Sequence, residues 1–283
     1  MVLAALALFL TLTRPTDHGA APHKETAFER VVRTNTLRCG YGVFAPYFMK
    51  DPITGAFSGI WHDFAEETGS MLGVKIEWVE EIGLDDIGIA LDTKRVDAYC
   101  SALWVAGKRA RSVNFLSPSA FEPMLAYVRV KDHRFDKDLK SLNDAQVGVS
   151  TMDSEGGGFI AQEDFPKAKQ VSLPHLSGYP DMFKQVATGK ADVVIAAPSG
   201  AMAYLKNNQG ELRPLADKPL RTFPISAFVV GYGQDALREA LETAQKSVLV
   251  NGTMEKILQR YEPFPGAFLR VAKPYAENQG NVP

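Results

Sequence analysis

This sequence of 283 residues has neither a large excess of charge of one sign nor a long apolar run. It carries 31 Lys and Arg against 33 Asp and Glu, and this near balance argues against a basic surface for nucleic acid. The apolar segment near the start, residues 2–12, is too short to span a bilayer, and no later stretch could cross one. Residues 1–25 are therefore expected to be a signal-like segment and a linker, with a cytosolic N-terminus as the alternative.

Motifs for common catalytic chemistry are also missing. The sequence contains no serine nucleophile elbow, no zinc-ligand spacing and no phosphate-binding loop. His62 falls on a predicted helix, and no second His or Cys stands at metal-ligand spacing from it. We therefore expect a protein that holds neither a metal nor a cofactor.

Cysteine occurs only twice, at Cys39 and Cys100. The two residues fall in the first and third predicted strands, which can be neighbours about 4.8 Å apart in a doubly wound sheet, within reach of a disulfide. Such a bridge would close a loop of about 60 residues and contribute on the order of 4 kcal/mol in the chain-entropy model. Two buried free thiols are the alternative, and export from the cytoplasm favours the bridge.

The order of the predicted elements repeats along the chain. Strands and amphipathic helices alternate up to an extended segment at residues 125–130, and the alternation then restarts until a second extended segment at residues 222–231. Such alternation predicts an α/β fold in which helices cover both faces of a parallel sheet. We expect two lobes, each a doubly wound and mainly parallel sheet, with a ligand cleft between them. Residues 26–126 and 225–283 form the first lobe in this prediction, and residues 127–224 form the second.

Residues 97–118, DAYCSALWVAGKRARSVNFLSP, suggest an anion site at one sheet edge. A buried strand here is followed by a turn and then by Arg109. A guanidinium offers two parallel donors to a carboxylate, and open α/β sheets bind ligands at the carboxyl ends of their strands. The alternatives are a solvated basic face or an ion pair of Arg109 with Glu122 or Asp153.

The same segment resembles DVIVAGMTITPERAKQVDFSDPY of the bacterial extracellular solute-binding proteins of amino-acid ABC importers, which have the type II periplasmic binding fold. GVFAPYFM at residues 42–49 is similar to the YPPFEY loop of that family, and FSGIWHD at residues 57–63 is similar to its LVGFDVD. NGTMEKILQRY at residues 251–261 is similar to the family's DGTYDKILKKW ending. The resemblance covers about residues 26–264 and implies a two-lobed protein that closes on a small solute.

The resemblance also implies roles for individual residues. Arg109 matches the Arg that grips the carboxylate of the ligand, and Phe44 matches an aromatic residue that packs over the ligand. Two Thr positions that assist this Arg in the family are Trp104 and Ala106 here. Together with Tyr41, which ends the first strand, Phe44 and Trp104 are expected to offer apolar faces beside the bound anion.

Residues 151–158, TMDSEGGG, match the GTT turn of the family. The resemblance implies that backbone N–H groups at a helix N-terminus, here near Ser154, face the carboxylate of the ligand. Asp153 stands in this turn, where it would either accept an ammonium group or cap the helix.

A difference from the family concerns the ligand's amino group. The Asp that pairs the α-ammonium in amino-acid binders falls on Ala197 in this sequence. Burying an unpaired ammonium would cost several kcal/mol. The expected ligand is therefore a carboxylate without an α-amine, or an amino acid whose ammonium turns to Asp153, Glu122 or the face of Trp104.

These features predict the substrate-binding component of an ABC importer, located in the periplasm or outside the cell. Its partners would be a small amino acid or related carboxylate and a membrane permease, and we expect a monomer. One alternative is an extracytoplasmic ligand-sensing domain, which would need a membrane span after the fold. Another is a periplasmic dehydratase-like enzyme, which needs an acid group in the cleft. Ala197 and the lack of a cleft His argue against that enzyme.

Overall fold

The computed structural model describes residues 25–152, 155–174, 177–216 and 218–271. Nearly all of the signal-like segment and linker lie outside these ranges, and so do Asp153 and Ser154. None of the helices within them combines the length and apolar character that a bilayer span requires.

The first sheet contains five strands and lies among five helices. Its strands are β1 (Thr36–Tyr41), β4 (Lys75–Glu81), β5 (Ala98–Tyr99), β7 (Asn114–Phe115) and β14 (Val229–Val230). Their order across the sheet is β4-β1-β5-β14-β7. The surrounding helices are α1 (Ala27–Thr34), α2 (Ile60–Leu72), α3 (Ile87–Asp92), α7 (Asp235–Val250) and α8 (Thr253–Tyr261). A short hairpin joins β2 (Met49–Lys50) to β3 (Phe57–Ser58). We call this part of the molecule the first lobe.

The second sheet has eight strands. They are β6 (Leu103–Trp104), β8 (Ala120–Arg129), β9 (Gly148–Met152), β10 (Lys169–Leu173), β11 (Val193–Ala196), β12 (Leu212–Pro214), β13 (Arg221–Ser226) and β15 (Leu269–Arg270). Six of them follow the order β10-β9-β11-β8-β13-β6, and β12 and β15 pair with β8. Its helices are α4 (Gly156–Asp164), α5 (Tyr179–Ala187) and α6 (Pro198–Asn207). We call this part the second lobe.

Both sheets are mixed rather than mainly parallel. The β4, β1 and β5 strands are parallel, but β14 is antiparallel to β5 and β7. In the second sheet β10, β9 and β11 are parallel, whereas β8 is antiparallel to both β11 and β13. The reason is the path of the chain, which leaves the first lobe along β8 and returns along β13, and a leaving and a returning strand run in opposite directions.

The predicted lobe boundaries at residues 126 and 225 fall inside this crossover region. The strands of the first sheet all come from residues 26–126 and 225–283, and β15, from the second of these ranges, pairs with β8 in the second sheet. However, β6 and the start of β8 pair within the second sheet although they belong to the first of those ranges. The division of the chain into lobes at these residues stays a prediction.

Local sequence signals explain where the first helices begin and end. Thr26 caps α1 by accepting a hydrogen bond from the backbone N–H of Glu29, whose side chain in turn accepts from the N–H of Thr26. Gly73 ends α2 with a φ of 73°, a left-handed conformation that glycine adopts without a steric penalty. Between these ends, α2 buries Trp61 and Phe64 in the core of the first lobe.

The predicted disulfide is present. Cys39 in β1 pairs with Ala98 of β5 in the sheet register, which brings Cys100, two residues further, to a Cα–Cα distance of 5.6 Å. The two sulfur atoms are bonded, so the bridge ties neighbouring strands at the centre of the first sheet. The alternative of two free thiols is wrong.

Candidate functional site

Side chains from both lobes meet around a buried carboxylate. We call this group the inter-lobe cluster: Phe44, Tyr47, Trp104, Glu122, Glu155, Tyr179 and Ser199. Its centre is Glu122 on β8, whose side chain is 0% exposed. The strand that carries it crosses between the lobes, and therefore the cluster lies where the predicted ligand cleft would be.

Glu122 accepts hydrogen bonds from three neutral groups. The hydroxyl of Ser199 donates to its Oε1 at 2.8 Å, and the hydroxyl of Tyr47 donates to the same oxygen. The indole Nε1 of Trp104 donates to Oε2 at 2.8 Å. The two hydroxyl oxygens are themselves 2.9 Å apart. Tyr47 packs in the core of the first lobe and Ser199 lies in the first turn of α6 in the second, so these bonds join the lobes.

Burial has the largest effect on the pKa values of Glu122 and Tyr47. It raises the pKa of Glu122, and the hydrogen bonds from Tyr47, Ser199 and Trp104 oppose that rise. Burial, with the nearby charge of Glu122, also raises the pKa of Tyr47 well above its usual range. Tyr47 therefore keeps its proton at neutral pH and acts as a donor.

Glu155 is a second buried carboxyl, placed at the N-terminus of α4. It is 3% exposed, accepts from the hydroxyl of Tyr179 at 2.8 Å and from the backbone N–H of Gly157 at 2.7 Å. Burial, with a smaller contribution from the charge of Glu122, raises the pKa of Glu155 to about 7 against the opposing effect of these hydrogen bonds. The two carboxyls are thus close enough to influence each other.

Aromatic side chains close the space around the two carboxyls. The ring of Phe44, from the first lobe, lies edge-on to the ring of Tyr179 at a centroid distance of 4.8 Å, and it lies 5.4 Å from the ring of Tyr47. Trp104 packs against the apolar cores of both lobes. Its ring also lies so close to Gly156 that a Cβ atom there would come within 2.6 Å of the indole. A larger residue at the start of α4 would therefore force this ring or the helix to shift.

Arg109 reaches the second lobe from a short 3₁₀ turn, Arg109–Arg111. Its guanidinium carbon lies 5.3 Å from the ring centroid of Phe159 on α4, a distance at which a cation is attracted to an aromatic face. Burial lowers the pKa of Arg109, and the surrounding charges, Glu155 among them, oppose that change. A guanidinium stays charged at neutral pH even so.

The loop between β9 and α4 carries one further polar atom. The Oγ1 atom of Thr151 is buried, and it has no hydrogen-bond partner within the described part of the chain. An unsatisfied buried hydroxyl costs about 1–3 kcal/mol. Thr151 lies in the segment that resembles the family's ligand-facing turn, so its hydroxyl is a candidate ligand contact.

The predicted ligand residues lie in different parts of the structure. Phe44 and Trp104 belong to the inter-lobe cluster, and Arg109 shares α4 with it through Phe159. Tyr41 lies instead in an aromatic group of the first lobe, 5.0 Å from the ring of Phe48 and 4.9 Å from that of Phe57. Asp153 and Ser154 lie outside the described residues, and the ligand contacts of the whole set stay predictions.

Four members of the cluster were not predicted from the sequence: Tyr47, Glu155, Tyr179 and Ser199. Tyr47 lies within the GVFAPYFM loop and Glu155 within the TMDSEGGG loop. Both segments were recognised, but the residues named in them were Phe44, Asp153 and Ser154. From the sequence, Glu122 was considered only as an ion-pair partner of Arg109 or as a contact for an ammonium group of the ligand. The signal that could have identified it is an isolated acid in the otherwise apolar strand AFEPMLAYV.

Glu122 and Glu155 also overturn one argument from the sequence. Ala197, which is buried before α6, was taken to leave the cleft without an acid group. Two carboxyls from other elements lie in the cluster, so that reason for excluding catalysis is wrong. Within the described ranges no group of three or more His, Cys, Asp or Glu side chains is placed to hold a metal ion.

Known proteins are similar to this chain in sequence and in structure. The chain is 24% identical over 232 residues to the histidine-binding periplasmic protein of Escherichia coli (strain K12), covering 78% of this chain and 85% of that protein. The ancestral amino acid-binding protein AncCDT-1, described as a precursor of cyclohexadienyl dehydratase, has a similar structure, with a TM-score of 0.70, 23% identity and coverage of 84% of this chain and 100% of that one. A histidine kinase sensor domain with similarity to periplasmic binding proteins matches with a TM-score of 0.68 and 18% identity, covering 83% and 97%.

The two structural matches show the fold alone, which is the two-lobed type II periplasmic binding fold. The family model of the bacterial extracellular solute-binding proteins, family 3, matches residues 37–264, which include the inter-lobe cluster. The chain belongs to the bacterial extracellular solute-binding proteins, family 3.

Proposed function

We propose that this protein is the substrate-binding component of an ABC importer and works outside the cytoplasm. It captures a small polar solute, an amino acid or a related carboxylate, between its two lobes and releases it unchanged to a membrane permease. The observation that carries the proposal is the hydrogen-bonded contact of Tyr47 with Ser199 over Glu122, because it joins the two lobes through buried polar groups. A site built from both lobes gains affinity only when they close, which couples binding to a change of shape.

The chemistry of the site supports a small polar ligand. Arg109 supplies a permanent positive charge for a carboxylate. Phe44, Trp104 and Tyr179 supply apolar faces for the body of the ligand. Relatives of the chain, such as the histidine-binding periplasmic protein, are named for the amino acid that they bind. None of this requires the ligand to react.

A binding experiment tests the proposal. Purified protein is first denatured mildly, and the released small molecules are identified by mass spectrometry. The ligand found, or failing that each of the common L-amino acids and a set of aliphatic carboxylates, is then titrated by calorimetry. Small-angle scattering should show a smaller radius of gyration with ligand, and the ligand should be recovered unchanged. A protein that binds neither class, or that converts the ligand, contradicts the proposal.

Arg109→Ala tests the anion anchor within the same experiment. Truncating one partner of a buried charge pair costs about 2–5 kcal/mol, so affinity for a carboxylate should fall by about 30-fold or more. Lys108→Ala is the matched control, since Lys108 is the exposed neighbour in the same turn. If both variants bind as the unmodified protein does, Arg109 does not hold the carboxylate.

A sensing domain is the other function that the fold accommodates, because one structural match is such a domain. The two roles share ligand capture and differ in the partner that reads the closed form. Stimulated uptake of the identified ligand into vesicles that contain the permease would favour the importer.

A further inference from the structure

We propose that the buried carboxyl pair Glu122 and Glu155 is a proton-binding site that couples closure of the lobes to pH. Closing the cleft takes up a proton at this pair and opening releases it, so a lower pH favours the closed form. Closure is common to a transport role and a sensing role, and the coupling therefore goes beyond the proposed function.

Both carboxyls lie between the lobes and are shielded from water. Glu122 is 0% exposed and Glu155 is 3% exposed. The first lobe contributes an aromatic residue at each of them. Tyr47 donates to Glu122, and Phe44 packs edge-on against Tyr179, whose hydroxyl donates to Glu155 at 2.8 Å. Separating the lobes would remove Phe44 and Tyr47 from the pair and admit water to it.

The hydrogen bonds that the structure gives to these carboxyls come from neutral groups. The donors to Glu122 are Tyr47, Ser199 and Trp104, and the donors to Glu155 are Tyr179 and the backbone N–H of Gly157. Neutral donors lower the cost of burying a carboxylate but do not cancel its charge. Two carboxylates that influence each other in a dry interface do not both ionise readily, and binding a proton relieves their repulsion.

The charged and titratable groups that face Glu155 in the described part of the chain come from four different elements. They are Tyr179 of α5, Glu122 of β8, Tyr47 of the loop before β2 and Arg109 of the 3₁₀ turn. Arg109 attracts the ionised carboxylate, but burial has the largest effect and holds the pKa of Glu155 at about 7. The closed form thus titrates in the physiological pH range.

Hydroxyl groups beside the two carboxyls allow the pair to gain a proton without losing hydrogen bonds, because a hydroxyl can either donate or accept. A proton on Oε1 of Glu155 is donated to the hydroxyl oxygen of Tyr179, which lies 2.8 Å away. A proton on Oε1 of Glu122 is donated to Ser199, also at 2.8 Å. The indole N–H of Trp104 occupies the other oxygen of Glu122 in either case.

The sign of the coupling follows from the two states. In the open form water solvates Glu155, and its pKa falls towards the ordinary value of 4.5. Between these two pKa values the closed form holds a proton that the open form has lost, so the ratio of closed to open protein falls as the pH rises. With a pKa of about 7 in the closed form, this ratio should fall by about 10- to 30-fold from pH 5.5 to pH 8.

Spin labels on opposite lobes measure this ratio in protein freed of bound solutes by mild denaturation and dialysis. Ile53, in the hairpin of the first lobe, and Asn207, at the end of α6, are exposed and are replaced by Cys for labelling. Cys39 and Cys100 do not react, because they are bridged. Double electron–electron resonance at half-unit steps from pH 5.5 to pH 8 should show the short-distance population giving way to the long one. A distance distribution that does not change with pH overturns the proposal and leaves ligand capture in place.

Two variants assign the effect to the pair. Glu155→Gln imitates the protonated carboxyl and should lose most of the pH dependence, whereas Glu163→Gln, an exposed acid of the same helix, should behave as the unmodified protein does. Tyr179→Phe serves in case Glu155→Gln does not fold. It removes a hydrogen bond that lowers the pKa of Glu155, so the transition should move to higher pH. An unchanged pH profile in Glu155→Gln, or an unshifted one in Tyr179→Phe, refutes the assignment.

Discussion

Glu155→Gln should remove a large part of the pH dependence of folding stability in this protein. Glu155 is buried at the start of α4, and burial raises its pKa to about 7 from an ordinary value of 4.5. The charged and titratable groups that interact with it are Tyr179, Glu122, Tyr47 and Arg109. Glutamine is a good mimic of the protonated form, because it too offers one acceptor and one donor and carries no charge.

The sign of the effect follows from proton binding. Between pH 4.5 and 7 the folded chain holds a proton on Glu155 that the unfolded chain has already lost. Stability therefore falls as the pH rises through this interval. A difference of about 2.5 pKa units between 4.5 and about 7 corresponds to about 3 kcal/mol. For a chain of this size that is a fall in Tm of about 6–12 °C, most of it between pH 5 and pH 8.

Thermal unfolding of the unmodified protein and of Glu155→Gln at half-unit pH steps from 5 to 8 provides the measurement. The variant should lose several degrees less across this range than the unmodified protein does. Glu163→Gln is the matched control: it lies on the same helix, and its hydrogen bond with Arg221 lowers its pKa, so its titration lies below the range. Identical pH profiles for Glu155→Gln and the unmodified protein would refute the reasoning.

Two further predictions concern the covalent and steric constraints of the fold. Denatured but unreduced protein should show no free thiol, and reduction should release two. Replacing Cys39 and Cys100 together with Ser should cost about 4 kcal/mol of unfolding free energy, because the bridge spans 61 residues, and an unchanged denaturation midpoint would contradict this. Gly156→Ala should destabilise the protein by about 1–3 kcal/mol, since its Cβ would come within 2.6 Å of the Trp104 ring. Gly158→Ala, whose Cβ would lie 3.6 Å from its nearest neighbour, should be neutral or stabilising in the same urea titration, and equal effects of the two changes would argue against the contact.

The fold could be predicted largely because its signals are local. Alternating apolar runs and amphipathic stretches predicted the α/β alternation in both lobes, and the cysteine positions predicted the central bridge in the first sheet. The mixed character of the sheets could not be read in the same way. The direction of β13 and β14 depends on which strand each one pairs with, and that pairing joins residues more than 90 positions apart in the sequence.

The candidate site was predicted only in part, for a related reason. Tyr47 and Ser199 are 152 residues apart in the sequence, and Tyr47 and Glu122 are 75 apart. No spacing rule links such positions, and each of these residues is ordinary in its own segment. The sequence does indicate the elements that carry these residues. The loop before β2 and the start of α6 fall in segments that resemble the family, and the strand β8 falls in a segment that crosses between the lobes.

A carboxylate from a neighbouring strand lies close to the position where the resemblance to the family places an acid, which is Ala197 in this chain. Strand β11 pairs antiparallel with β8, with Ala196 opposite Leu125. One residue further, Ala197 would face Met124, and Glu122 lies two positions beyond Met124 on the same face of β8. A carboxylate at residue 122 therefore enters the region that a carboxylate at residue 197 would occupy, and its hydrogen bond to Ser199, two residues after Ala197, shows that it reaches there. Electrostatic pairing depends on where the charge lies and not on which strand supplies it. Residue-by-residue comparison with the family thus finds no acid at residue 197, whereas the folded chain places the carboxylate of Glu122 beside Ser199, two residues further along the chain.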